Sequence, residues 1–421
     1  MQAKKKVINK YRRCLIKSYS VICLLCFSFI GKAQDKTLGK DSVVPVMDVG
    51  DFARKIFNKK EDTTKQKKST TILPSIGYNP SFGFVIGAKI SAIKQFGVPE
   101  NTNLSSFGLE AIYSTKGIVT AQARHNMFTD GNKWNLQGNW QLSKFVIEDY
   151  GIGTGNKERY KYKSDSTFLI RFTFIRLTEK IYRKIGPKIY AGGGISFDIR
   201  AGINDQQLEV LPSTPHERYS LRNDFDPEKY SANGFIFAFQ YNTREHPLRS
   251  YGGEYFDFNV RFNQKFIGST KNAIQLFYDL RKYIGLSKKN PEHVLALWHW
   301  ASYKLTGSVP YLELPATAYD TYARSGRAYT MGRFKGPSYA CFEAEYRYPI
   351  TKNKLVSGVA FMNLQTASDD LQKKVFKYWE PGGGGGLRIL LQKQSRSTIC
   401  IDYAIGRYGS NGFFFGLNEV F

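Results

Sequence analysis

The stretch Glu254–Gln264, EYFDFNVRFNQ, sorts its residues by parity. Phe256, Phe258, Val260 and Phe262 fall on one face, and Asp257, Asn259, Arg261 and Asn263 on the other. A period of two is the signature of a β-strand. Its length matters as much as its period. Ordinary strands run about five or six residues, whereas a strand that crosses a bilayer needs about 9 to 11. The same pattern recurs in KWNLQGNWQLS, where Trp134, Leu136, Trp140 and Leu142 alternate with Asn135, Gln137, Asn139 and Gln141. In STFLIRFTF, Phe168, Ile170, Phe172 and Phe174 oppose Arg171 and Thr173. A soluble sandwich also alternates, but it rarely sustains the pattern over so many long strands. A transmembrane β-barrel does, with apolar side chains toward lipid and polar ones toward the lumen.

Working outward, sixteen such runs lie between residues 71 and 421. The fold expected is all-β, a sixteen-stranded antiparallel transmembrane barrel. An even count keeps both ends on one side. Short connections such as GVPEN, TDGN, RKIGP, KKNPE and TKNK then alternate with long ones at 146–165, 204–229, 308–336 and 369–379. All the long ones fall on one side, as short periplasmic turns and long outer loops require.

The preceding residues are of another kind. Seven Lys and Arg and no acid lie within residues 2–17; then comes the apolar run SYSVICLLCFSFIG, with Gly31 and Ala33 before Gln34. Residues 1–33 read as a secretory signal peptide. Eight cations and no anions lie there, so a cleaved chain carries +18 rather than +26. Residues 34–70 are polar and read as a periplasmic linker. Within it VGDFARKIF suggests a short amphipathic helix with Val49, Phe52, Ile56 and Phe57 on one side. Localisation in the cell outer membrane follows. An exported basic chain is not expected to meet nucleic acid; outer-membrane lipids and lipopolysaccharide are the expected counter-charges. Cys14, Cys23 and Cys26 leave with the signal, and Cys341 and Cys400 remain, with their pairing left open.

Enzymatic signals are poor. The five His residues form no HExxH or His-Cys cluster. His299 and Ser302 fall on opposite faces of a strand, so they do not act as base and nucleophile. No cofactor is implied. GIGTGNK reads as an outer loop, and the run Gly382–Gly386 as a place for a sharp bend or close packing in the wall.

The stretch GRAYTMGRFKG, 326–336, lies in the sixth outer loop. Together with EAEYRYP, LPSIGYNPSFGFVIGAK at the front and GGGGGLRILL and RYGSNGFFFGLNEVF at the back, it resembles the BamA/TamA-type bacterial surface antigen family over residues 71–421. That family carries an Arg-Gly-aromatic motif in a loop that folds back into the lumen. The matching residues are Gly326, Arg327, Ala328 and Tyr329, with Ala328 in place of the usual Gly. Glu343 and Glu345 share a face with Arg347 and are expected to point inward. The resemblance makes Glu345 the acceptor for Arg327 and puts the second acceptor, an Asp in the family, at Asn363. Replacing Asn363 by Asp is then expected to tighten the loop. Arg333 is the natural comparison, its removal being mild if it is the solvated arginine.

The chain ends on FFFGLNEVF. Gly416 and Phe421 match the family's C-terminal insertion signal, with Phe421 expected on the outward face. Glu419 stands where the family prefers an apolar residue, so Glu419→Leu is expected to be harmless. The role implied is assembly, insertion or translocation of proteins at the outer membrane. It would be performed without the family's POTRA repeats, as an accessory subunit or with a separate periplasmic partner, the outer-membrane assembly machinery and client barrels. A weak seam between first and last strands is implied, and Pro74 and Gly77 in TTILPSIGYN suit it. A passive porin-like channel and a lipid-modifying barrel enzyme are the alternatives.

Overall fold

The computed structural model describes residues 45–57, 70–79, 81–155, 169–206 and 213–421. The expected signal peptide and most of the linker lie outside the described residues, as do parts of two long connections, 156–168 and 207–212. Sixteen strands form one antiparallel sheet in which every strand pairs with its sequence neighbours. They are β1 (Thr70–Asn79), β2 (Gly83–Lys94), β3 (Ser105–Ser114), β4 (Val119–Phe128), β5 (Trp134–Glu148), β6 (Leu169–Gly186), β7 (Ile189–Asp205) and β8 (Tyr230–Asn242). β9 (Gly253–Asn263), β10 (Ala273–Gly285), β11 (Val294–Gly307), β12 (Ser338–Pro349), β13 (Val356–Ala367), β14 (Glu380–Gln392), β15 (Ser397–Gly406) and β16 (Asn411–Leu417) complete the wall. The sixteen expected strands are all present.

In β9, Asp257, Arg261 and Asn263 are buried toward the lumen, with Phe256, Phe258, Val260 and Phe262 on the other face. On β5, Trp134, Trp140 and Leu142 are exposed outward. The STFLIRFTF run behaves differently. Ile170, Phe172 and Phe174 are buried inward, packed with Tyr219, Val309, Tyr311, Leu312 and Leu314 from the long loops, while Arg171 is exposed. β6 and β7, at 18 and 17 residues, outrun the length a bilayer needs. At that end loops fill the interior and water lies outside, so the chemistry of the two faces exchanges although the parity does not.

The long loops pack over this end. Helix α2 (Pro215–Arg222) is capped by Thr214 and buries His216 and Tyr219, whose hydroxyl donates to the Val309 carbonyl at 2.8 Å. Tyr311 donates to Asp149 at 2.7 Å, and Arg200 pairs with Glu313. The glycine-rich GIGTG start of its loop hydrogen-bonds Lys335 and Ala367 through Gly153 and Thr154.

At the short-turn rim lies helix α1 (Val49–Ile56), with Asp48 and Asp51 forming a capping box. Lys393, in the β14–β15 turn, reaches both acids: its amide donates to Asp48 at 3.2 Å and its Nζ to Asp51 at 2.9 Å. The Met47 amide donates to the Asn353 carbonyl in the β12–β13 turn at 2.9 Å.

Among the described residues no ladder joins β1 to β16, although the strands adjoin: Gly77 sits against the Phe415 carbonyl. Pro74 brings no N–H to β1, and β16 is the shortest strand, at 7 residues. Backbone groups in a barrel wall need partners, so this closure is its weakest line. The folded chain should migrate faster on gels unheated than heated. Hydrogen exchange should show β1 and β16 amides exchanging at least about tenfold faster than those of β8–β10, because local opening there breaks fewer hydrogen bonds. Equal protection would mean a closed ladder.

Candidate functional site: an arginine latch in the lumen

Loop 6, residues 308–337, joins β11 to β12 and folds into the barrel. Left-handed backbone at Gly326 (φ 76°), Ala328 (φ 89°) and Gly332 (φ 78°), among others in the loop, steers the motif. L side chains rarely adopt such angles, and holding one there costs about 1–3 kcal/mol. Ala328 therefore carries strain at the position where the resemblance expects Gly. The motif lies on the glycine run of β14, which keeps its ladders to β13 and β15 without a sharp bend. A Cβ on Gly382 would stand 2.9 Å from the Arg327 carbonyl and 3.2 Å from the Ala328 methyl. One on Gly386 would stand 1.9 Å from an Asp402 carboxylate oxygen. The glycines make a floor low enough for the loop to reach the wall.

Arg327 is 4% exposed. Its Nη2 donates to Glu345 at 2.6 Å and to Glu343, and its Nη1 to Asp402 at 2.9 Å. The guanidinium also lies 3.5 Å over the Phe361 ring. Burial alone would weaken its hold on the proton, but the three carboxylates outweigh burial and raise its pKa above the usual value. Tyr329 donates to the Pro381 carbonyl and accepts from the Arg407 amide at 2.8 Å. Burial pushes its phenol up to about 12, so it stays a donor.

Asn363 does not accept from Arg327. Its Nδ2 donates to the Arg327 carbonyl at 2.9 Å, and the further carboxylate comes from Asp402 on β15. Asp402 shares the inward face with Cys400 and Ala404, so its direction was readable from alternation; its reach to loop 6 depends on barrel curvature. An Asp at 363 would turn a donor into an anion facing a carbonyl, the reverse of the expected tightening. Arg333 is no solvated comparison either: it is 7% exposed and lies 4.1 Å over the Tyr150 ring.

The chain end departs furthest from expectation. β16 stops at Leu417, and the residues after it turn into the lumen. Phe421 is inside, not outward, stacked on Trp298 with centroids 5.1 Å apart, and its main-chain oxygen accepts from Arg347 at 2.9 Å. Glu419 is buried among three arginines: Arg388 at 2.7 Å, Arg249 at 3.3 Å and Arg347 at 4.0 Å. Burial pushes its carboxyl up, but the guanidinium groups prevail and hold it below the usual range. Arg388 also binds Asp402, and Arg347 binds Glu345 at 2.7 Å. Loop 6 holds the same tail directly: Arg324 donates to the carbonyls of Leu417 at 2.6 Å, Asn418 at 3.1 Å and Glu419. Gly416 faces this group, its missing Cβ 3.9 Å from Arg324 Nη2. Cys341 and Cys400 are buried and free.

The model of the Omp85 superfamily domain matches residues 51–419. The chain belongs to the Omp85 superfamily. Comparison with curated proteins gives no match. Among solved structures this Omp85 chain is similar to BamA from Haemophilus ducreyi lacking POTRA domains 1–3, at 14% identity and TM-score 0.56, covering 84% of this chain and 70% of that one. It is also similar to CdiB from Escherichia coli, at 7% identity and TM-score 0.53, covering 85% of this chain and 63% of that one. For CdiB from Acinetobacter baumannii the values are 10%, 0.50, 84% and 60%. The chain thus spans less than two thirds of either CdiB. These likenesses concern the barrel fold.

In this Omp85 barrel, Glu419→Leu leaves three buried cations short of one anion. Breaking a buried pair from one side typically costs about 3–5 kcal/mol; urea midpoints of the refolded barrel should show a loss approaching that range. Arg327→Ala and Glu345→Ala should each destabilise, and their double mutant should be less than additive. Asn363→Asp should cost about 1–3 kcal/mol, the scale of an unsatisfied buried polar group. Ala328→Gly should stabilise by about 1 kcal/mol through relief of the left-handed backbone.

Proposed function

We propose that this Omp85 barrel resides in the outer membrane and assists assembly, insertion or translocation of proteins there, with the β1–β16 closure as its working edge. The observation that carries the reading is that closure. Among the described residues fifteen neighbouring strand pairs are laddered and the pair β1–β16 is not. Two strand edges left with free N–H and C=O groups are a template for another strand. A client strand can pair with β1 or β16 without first breaking a ladder.

Loop 6 supplies control. Arg327 fixes the loop to β12 and β15, and Arg324 holds the end of β16 inside the lumen. Withdrawing the tail shortens β16 and leaves the adjoining edges without a ladder; releasing it would let the strand lengthen. The partners fitting this role are client barrels, the outer-membrane assembly machinery and a periplasmic protein that delivers clients. The chain end can also act as an insertion signal, read while the strand is still unfolded and before Phe421 enters the lumen. Lipid and lipopolysaccharide contacts follow from the exposed apolar wall.

Cysteines at the outward positions Ile76 and Phe415, joined by a short bis-thiol linker, should lock the closure. Cells relying on the locked protein should lose the same outer-membrane proteins as depleted cells, and reduction of a cleavable linker should restore them. A passive channel predicts the opposite: steady conductance, no effect of the lock and an unchanged outer-membrane proteome.

A further inference from the structure

Helix α1 keeps its polar side against the barrel and its apolar side away from it. Asp48 and Asp51 close the capping box and hold Lys393 in the β14–β15 turn. Arg54, on the same polar side, pairs with Asp51. The apolar side is left outside. Phe52 is 46% exposed, Ile56 58% and Phe57, which caps the helix, 71%. Between this side and the β12–β13 turn runs an open groove of about 530 Å³, lined by Met47, Phe52, Ile56 and Leu355 and by Lys55, which is itself exposed.

The groove stands at a defined level of the wall. By alternation with Glu343, Glu345 and Arg347, Tyr346 and Tyr348 face outward on β12, with ring centroids 5.5 Å apart. Aromatic rings on the outer face of a barrel gather where lipid meets water. Ile350, 52% exposed, and the groove residue Leu355 follow in the turn. Helix α1 therefore adjoins the headgroup layer at the short-turn rim, continuous with the lipid-facing wall. Two nearer occupants do not fit. Residues 58–69, which lead from the helix to β1, contain no apolar residue with which to bury Phe52, Ile56 or Phe57. A two-fold contact through this helix would set Arg54 and Lys55 against their own copies, and residues 52–60 carry four cations and no acid.

On the membrane reading of the barrel given above, we propose that this groove binds an anionic phospholipid of the leaflet at the short-turn rim, and that α1 is an interfacial anchor. A phospholipid supplies both things this face calls for: an acyl chain against Met47, Phe52, Ile56 and Leu355, and a phosphate for Lys55. A helix with one apolar side and cations beside it lies in the plane of the membrane surface, and its hold grows with the apolar area buried and with the negative charge of the lipid. The two acids that would repel such a surface are turned away from it, engaged by Lys393 and the helix cap. Through Asn353 and Lys393 the anchor ties the β12–β13 and β14–β15 turns to the membrane surface.

The test uses the full chain in its native outer membrane, with the photoreactive p-benzoylphenylalanine in place of Phe52. The expected product on irradiation is the chain with the mass of one phospholipid added. The same residue in place of Leu142, exposed on the outer wall, should also capture phospholipid; in place of Lys289, exposed in the β10–β11 turn, it should capture none. Lys55→Glu should lower the phospholipid adduct at position 52 about threefold, while the adduct at 142 and the unheated migration of the folded barrel stay unchanged. In vesicles of phosphatidylglycerol and phosphatidylcholine in equal parts, the adduct at position 52 should be mostly phosphatidylglycerol. Capture of another protein or of a second copy, no capture at 52 while 142 is labelled, equal labelling at 289, or indifference to Lys55→Glu or to headgroup charge would overturn the inference. Absence of lipid at 142 as well would overturn the membrane reading, and the inference with it.

Discussion

A cluster of guanidinium and carboxylate groups inside the barrel holds the remainder of the lumen in place. Glu343 and Glu345 on β12 and Asp402 on β15 all point into a space that the wall encloses. Charges withdrawn from water must be paired. The pairing groups are Arg347 on β12 itself, Arg327 from loop 6 and Arg388 from β14. Glu419 enters from the tail to satisfy the arginines in turn. Loop, wall and tail therefore form one electrostatic unit, and displacing any one leaves charge unpaired in the others.

The rest of the site follows from that demand. The loop must descend far enough to deliver Arg327, which requires left-handed turns at Gly326 and Ala328 and a wall without side chains beneath them. The glycine run of β14 supplies that wall. The tail must turn inward to deliver Glu419, which ends β16 early and leaves β1 without a ladder partner. The weak closure is thus a consequence of where the charges are placed as well as of Pro74. Under the proposed role at the β1–β16 edge, stabilising the lumen and opening the seam would draw on the same residues.

Alternation made the wall and the inward direction of Glu343 and Glu345 legible, because side-chain direction in a strand is fixed by parity. The motif at Gly326–Tyr329 identified the loop. Asp402 was hidden, although its parity was visible, since the pairing of residues 75 positions apart depends on curvature that no local pattern encodes. Asn363 is hidden for the same reason: its inward direction is clear, but whether it meets the guanidinium or the carbonyl of Arg327 depends on how far the loop descends.

The sequence by itself determined the number of strands, their order and the sides of the long loops, because period and connection length are local properties. It also determined which strand residues share a face. It did not determine what lies beyond each face. Phe172 looks inward where loops replace the lumen water, and Phe421 enters the lumen although the alternating pattern of the last strand would carry it outward. Glu419, which breaks that pattern, is the residue that Arg388 and its neighbours require. Parity is written along the backbone, whereas the medium a side chain meets is set by the segments that fold back over it, and only the tertiary structure decides those.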